Sequence, residues 1–190
     1  GQVTEDTRAR AIVPTVNKIL NDGGSAILMS HLGRAKVKVN PAMSLKPVAG
    51  YMSGLLGKPV LFATDCVGPD AKAKAAVLKP GEVLMLENLR FHPEEEAGDE
   101  AFSKTLSELG DVYVNDAFGT AHRAHASTTI VAKFFPQDKL FGYLMQGEID
   151  SVGKVLGDPQ RPLVAVVGGS KVSSKLAVLE NLIGKCDEVI

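Results

Sequence analysis

Short, unbroken apolar runs alternate along the chain with stretches in which apolar residues recur every three or four positions. The unbroken runs predict strands covered on both faces, as in a parallel sheet. They are Ala26 to Met29, Val60 to Phe62, Val83 to Leu86, Val112 to Val114, Leu163 to Val167 and the closing Val189-Ile190. The periodic stretches between them predict amphipathic helices. Ser44 is placed to N-cap one whose Leu45, Val48, Met52, Leu55 and Leu56 share a face, with Gly57 and Pro59 ending it. Asp99 to Leu109 predicts a second, with Phe102, Leu106 and Leu109 inward and Gly110 at its C-terminal cap. Ile12, Val13, Val16, Ile19 and Leu20 line up as a first helix, which Pro14 kinks or starts late.

Strand, helix, strand alternation predicts right-handed crossovers and an α/β fold: a doubly wound parallel sheet, Rossmann-like, followed by the beginning of a second α/β domain. The partition is residues 1–141, a helical stretch over 142–157 carrying Leu144, Ile149, Val152 and Leu156, and residues 158–190 after the break Asp158-Pro159-Gln160-Arg161-Pro162.

Composition narrows the classes. With 190 residues, 45% hydrophobic and 23% charged, the chain is long enough to bury a core, and disorder, collagen and coiled coil are excluded. No apolar run approaches the roughly 18 residues of a membrane span, so no membrane partner is expected. The opening residues lack the basic and apolar regions of a signal peptide, and the cytoplasm is the expected location. Cys66 and Cys186 form no CxxC and have no histidine at ligand spacing, so the reading assigns neither zinc nor disulfide, and no metal ligand. A net charge of -1 with 5% aromatics argues against a nucleic-acid partner.

The neutral total hides a local asymmetry. Three loops each follow an apolar run and together hold every histidine with arginines: Ser30-His31-Leu32-Gly33-Arg34, Glu87 to His92 with Arg90, and Asn115 to His125 with His122 and Arg123. Ligands of open α/β sheets bind beyond the carboxyl ends of the strands, and arginine forks grip phosphate or carboxylate. Any one arginine alone reads as a surface ion pair and any one histidine as a structural hydrogen bond; three clusters at one sheet edge favour a pocket for a small, multiply charged anion. Asn115-Asp116 reads as a turn, Glu94-Glu95-Glu96 as a solvated helix start, and Glu87 as a partner that orients Arg90. The turn Val167-Gly168-Gly169-Ser170-Lys171, continuing to Lys175, lets backbone N–H groups approach an anion at a helix N-terminus. By itself that turn serves packing equally well.

Taken together, Ser30 to Arg34, Leu86 to His92, Val114 to His125 and Val167 to Lys175 closely resemble phosphoglycerate kinase, in order from Thr4 to Ile190. The resemblance implies a two-lobed glycolytic enzyme moving a phosphoryl group between 1,3-bisphosphoglycerate and ADP, giving 3-phosphoglycerate and ATP, with Mg2+ and hinge closure. It implies 3-phosphoglycerate contacts from His31, Arg34, Arg90, Arg123, His122 and His125. Arg8 and Lys175 act on the transferred group, and Gly168, Gly169, Lys171 and Lys175 face the nucleotide. It further implies that residues 1–141 are the 3-phosphoglycerate domain without its first strand, that 142–157 connect the lobes, and that 158–190 begin a nucleotide domain whose magnesium ligand lies elsewhere. The expectation is an internal piece of a longer, monomeric kinase, inactive alone. The rival is a non-enzymatic module that binds an anionic metabolite.

Overall fold

The computed structural model describes residues 3–33, 39–157, 159–166, 180 and 183–190. Two compact units divide the chain, Gly1–Gln146 and Gly147–Ile190.

In the first unit, α1 (Thr7–Ala11) and α2 (Val13–Asn21) precede β1 (Ala26–Leu28), and α3 (Lys46–Leu56) leads to β2 (Val60–Phe62). Next come α4 (Pro69–Ala76), β3 (Val83–Met85), α5 (Pro93–Ala97), α6 (Glu100–Ser107), β4 (Tyr113–Asn115) and β5 (Lys139–Phe141), after which α7 (Tyr143–Leu156) begins. Pro14 starts α2 late, since the helix breaks at Ile12 and resumes with proline in its first turn, where the missing N–H costs nothing. Gly57 ends α3 in the left-handed region at φ 64°.

The sheet order is β1-β3-β2, all parallel, with Ala26 and Val60 both level with Val83. Strand β3 lies centrally, and its alternating side chains separate two cores. Val83 packs with Val16, Leu20 and Ala26, and Met85 with Leu45, Ala49 and Met52. Leu84 and Leu86 pack instead with Ala71, Phe102, Leu106, Tyr113 and Val131. Helices α2 and α3 therefore cover one face and α4 and α6 the other, which is the doubly wound arrangement of an α/β fold. Full burial of side chains such as Leu84 and Met52 contributes about 1.5–3 kcal/mol each.

Three boundaries differ from the sequence expectation. Pairing of β4 starts at Tyr113, whose N–H donates to Asp138 O at 2.8 Å, and leaves Val112 exposed. Gly110 is not the cap of α6, whose C-terminal cap is Glu108, although Asp99 does cap its start by accepting from Phe102 N at 2.7 Å. Ser44 lies one residue before the cap position of α3, and its Oγ accepts from Lys46 N at 3.2 Å.

In the second unit, β6 (Val164–Ala165) pairs in parallel with β7 (Glu188–Val189). Asp187 holds the entrance of β6, accepting from Leu163 N at 2.6 Å and pairing with Arg161 at 2.9 Å. No helix among the described residues is long and apolar enough to cross a membrane.

Candidate anion-binding site

Strands β1 and β3 end side by side, so the loops leaving them are neighbours. Leu86 N donates to Leu28 O and Leu89 N to Ser30 O, which keeps the two loops together past the last paired residues. Asn88 locks them further. Fully buried, it donates to Leu32 O and Met43 O, both at 2.9 Å, and accepts from Arg90 N at 3.0 Å. A buried amide of this kind must satisfy its donors and acceptor, and Asn88 does so on three separate segments.

Arg90 is correspondingly buried. One guanidinium nitrogen donates to Gly33 O at 2.9 Å, and Nε lies 3.1 Å from Glu96 Oε1, an ion pair out of line for a hydrogen bond. Glu87 does not orient Arg90, contrary to the sequence reading. Its carboxylate accepts from Ser44 Oγ at 2.6 Å, Leu45 N at 2.8 Å and Asn88 N at 2.7 Å, and so fixes the start of α3 against β3.

The third loop leaves β4 and is tied at many points. Asn115 Oδ1 accepts from Ala117 N at 3.1 Å, while its amide donates to Thr128 O at 3.2 Å. Thr128 and Thr129 both donate their hydroxyls to Arg123 O, at 2.9 and 3.2 Å. Tyr113 OH donates to Ser127 O at 2.8 Å. The backbone under Arg123 and His125 is thereby held while the Arg123 side chain stays exposed, with Nε donating to His122 Nε2 at 3.3 Å.

Glu95 anchors this loop from below, where the sequence reading expected a solvated helix start. It is 2% exposed and accepts from Ser127 Oγ at 2.6 Å and Ser127 N at 3.0 Å, with His125 Nδ1 at 3.9 Å. In α5, Glu94 to Glu96 occupy successive positions and point different ways, so one of the three faces inward.

Charge brings the loops to a common point. His31 is held down at about 4 from an ordinary 6.5, first by burial, then by the charges of Arg90, His125, Arg8 and Arg123. Those residues come from α1, from the turn after β3 and from the loop after β4. They gather on one imidazole, so a proton there is disfavoured and an anion favoured. His31, Arg90, Arg123, His125 and Arg8 thus share one electrostatic neighbourhood, with His122 beside Arg123. Arg34, Gly168, Gly169, Lys171 and Lys175 lie outside the described residues.

Asp116 has a structural part that the sequence left as a turn. Its Oδ2 accepts from Thr15 Oγ at 2.6 Å and its Oδ1 from Met145 N at 3.0 Å, while Thr15 Oγ accepts from Tyr143 N at 2.9 Å. Two N–H groups of the first turn of α7 are satisfied in this way by side chains from α2 and the β4 loop.

Comparison with known proteins places this geometry in a family. The chain matches the description of phosphoglycerate kinase over residues 1–190. It is 56% identical over 190 residues to the phosphoglycerate kinase of Moorella thermoacetica, covering 100% of this chain and 48% of that protein. The crystal structure of the enzyme from Pyrococcus horikoshii superposes with a TM-score of 0.86 at 32% identity, covering 100% of this chain and 48% of that one. That of the Coxiella burnetii enzyme gives 0.83 at 37% identity, covering 100% and 47%. The chain spans about half the length of the curated relatives it matches. The third loop leaves β4, which pairs with β5 in a sheet separate from β1-β3-β2, and it is the likeness over every residue that makes the chain a member of the phosphoglycerate kinase family.

Proposed function

We propose that the chain supplies the 3-phosphoglycerate side of a phosphoglycerate kinase, which moves a phosphoryl group reversibly between 1,3-bisphosphoglycerate and ADP. The observation that carries this reading is the gathering of Arg8, Arg90, Arg123 and His125 on His31. Arg123 grips the C3 phosphate with Arg34, and His122 and His125 stand beside them. Arg90 acts from underneath, because its guanidinium is already engaged with Gly33 O and Glu96. His31 stays neutral and lies near the carboxylate. Arg8 neutralises charge on the phosphoryl group in transit, and Lys175 shares that task. Phosphoryl transfer needs alignment and charge neutralisation, and the acceptor oxygen is already ionised, so no general base is required.

Residues 1–141 form the substrate domain in this reading, 142–157 the connecting helix and 158–190 the start of the nucleotide domain. There Gly168, Gly169, Lys171 and Lys175 meet the phosphates of ADP or ATP. Mg2+ finds no ligand set in the described patch, whose side chains offer guanidinium and imidazole nitrogens where the ion takes oxygens. Its chemistry belongs to other residues. The protein works as a cytosolic monomer.

The test is titration of the intact protein with 3-phosphoglycerate by calorimetry, alongside a coupled assay of ATP-dependent phosphorylation. Binding and turnover together are expected. Binding without turnover in the intact protein would favour a metabolite-binding module, and neither would remove the reading.

A further inference from the structure

A second cluster, none of whose residues belongs to the anion site, forms where β2 and β3 release their chains. Asp65 and Cys66 follow β2, and His92 follows the turn after β3. Asp65 Oδ1 lies 2.6 Å from His92 Nε2 and also accepts from Cys66 N at 2.7 Å. The carboxylate oxygen, the imidazole nitrogen and the Cys66 sulfur all lie within 4.8 Å of one another. An aspartate-histidine pair alone would be an ordinary ion pair. Cys66 adds a sulfur to that pair, from a residue with no exposed surface that packs among Ala63, Ala71 and Leu86.

We propose that Asp65, Cys66 and His92 form a binding site for a zinc-type divalent cation. One thiolate, one imidazole and one carboxylate make a borderline-soft set that suits Zn2+ or Co2+ and discriminates against Mg2+ and Ca2+, which require oxygens. Three protein ligands leave a fourth position for water, and the arrangement provides access: the Asp65 and His92 side chains are 47% and 27% exposed, with the sulfur beneath them. On binding, sulfur and oxygen each give an electron pair to the ion, the thiol proton leaves to solvent, and His92 coordinates through Nε2 with its proton on Nδ1. His92 is also held in place, its ring 5.3 Å from that of Phe102 and its N–H donating to Leu89 O. The sequence reading missed this set because the donors are separated by most of a strand-helix-strand unit and show no ligand spacing.

The experiment is titration of the metal-free intact protein with Co2+, followed by competition with Zn2+ and with Mg2+. One Co2+ per chain is expected, with a near-ultraviolet thiolate-to-cobalt charge-transfer band that Zn2+ removes and Mg2+ does not. Cys66→Ser should abolish the band and Cys186→Ser leave it unchanged. His92→Gln and Asp65→Asn, at partly exposed positions, should each weaken Co2+ binding at least about tenfold. No band at excess Co2+, a band that persists in Cys66→Ser, or unaltered affinity in both His92→Gln and Asp65→Asn would overturn the proposal. Should Cys66→Ser fail to fold, the last two variants decide.

Discussion

Glu95 holds Ser127 with both carboxylate oxygens, one on the hydroxyl at 2.6 Å and one on the backbone N–H at 3.0 Å. A helix of five residues is thereby joined to the loop that carries Arg123 and His125. Hydrogen bonds to a charged group contribute about 1.5–3 kcal/mol, and the cost is highest when a buried partner is left unpaired. Glu95→Ala should lower unfolding stability by about 3 kcal/mol in urea denaturation. A loss below about 0.5 kcal/mol would mean that water or another group replaces the carboxylate.

Gly98 offers a sharper test of the link between packing and binding. It ends α5 at φ 67°, and a Cβ there would lie 2.6 Å from Ala124 O, in the loop between Arg123 and His125. Gly57 has nearly the same backbone, φ 64°, with nothing within 4 Å of its Cβ position. Both Gly→Ala changes carry the left-handed penalty of about 1 kcal/mol, but only Gly98→Ala must displace the loop. It should weaken 3-phosphoglycerate binding tenfold or more, while Gly57→Ala leaves it unchanged. Equal affinities would show that the loop absorbs the intrusion.

A pH dependence follows from His31. Its folded value is about 4 against 6.5 when unperturbed, so between these limits the unfolded chain holds more protons than the folded one. Stability then rises with pH across that window, is fully present above about 6.5 and is lost as pH falls toward about 4. His31→Gln should flatten this part of the stability profile. A slope equal to that of the unaltered protein would show that burial and the surrounding charge do not hold the imidazole neutral. Binding of 3-phosphoglycerate should raise the His31 value, read by NMR titration, because an anion offsets the surrounding charge.

The proposed function gives Arg8 and Arg123 separate roles. Arg123→Ala should weaken 3-phosphoglycerate binding tenfold or more, about 1.4 kcal/mol or above. Arg8→Ala should lower kcat by about a hundredfold or more with a smaller effect on KM, since under the proposed function it acts on charge that moves during the reaction. A change in KM alone for Arg8→Ala would reassign it to ground-state binding.

Gly142 and Asp116 should behave as a coupled pair. A Cβ on Gly142 would lie 2.2 Å from Asp116 Cγ, and that side chain is fixed by Thr15 and Met145. Asp116→Ala alone should cost about 1 kcal/mol as a lost helix cap. Gly142→Ala should cost more, and less once Asp116 is already alanine. Strict additivity in thermal unfolding would mean that the two do not compete for space.

Much of the fold was legible because its strands are buried on both faces. Leu84 and Met85 are apolar for opposite cores, so the run Val83 to Leu86 shows no alternation and reads as a strand covered on both faces. Strand β5 was not legible, since Lys139 to Phe141 is exposed and its pairing with β4 is its main structural signal. The site divided along the same line. The arginines and histidines announced themselves by type and clustering, whereas Glu95 looked solvated inside a run of three glutamates. Asp116 looked like a turn residue because its partners, Thr15 and Met145, are distant in sequence. His92 is likewise distant in sequence from Asp65 and Cys66, and the three show no ligand spacing.

The start of α7 has a consequence for dynamics. A helix end ordinarily frays, because its first amides have no partner within the helix. Here the amides of Tyr143 and Met145 are claimed by Thr15 and Asp116. Hydrogen exchange at these two amides should therefore require opening of the α2 and β4 segments, and the helix should loosen from elsewhere along its length before it does so at its own beginning.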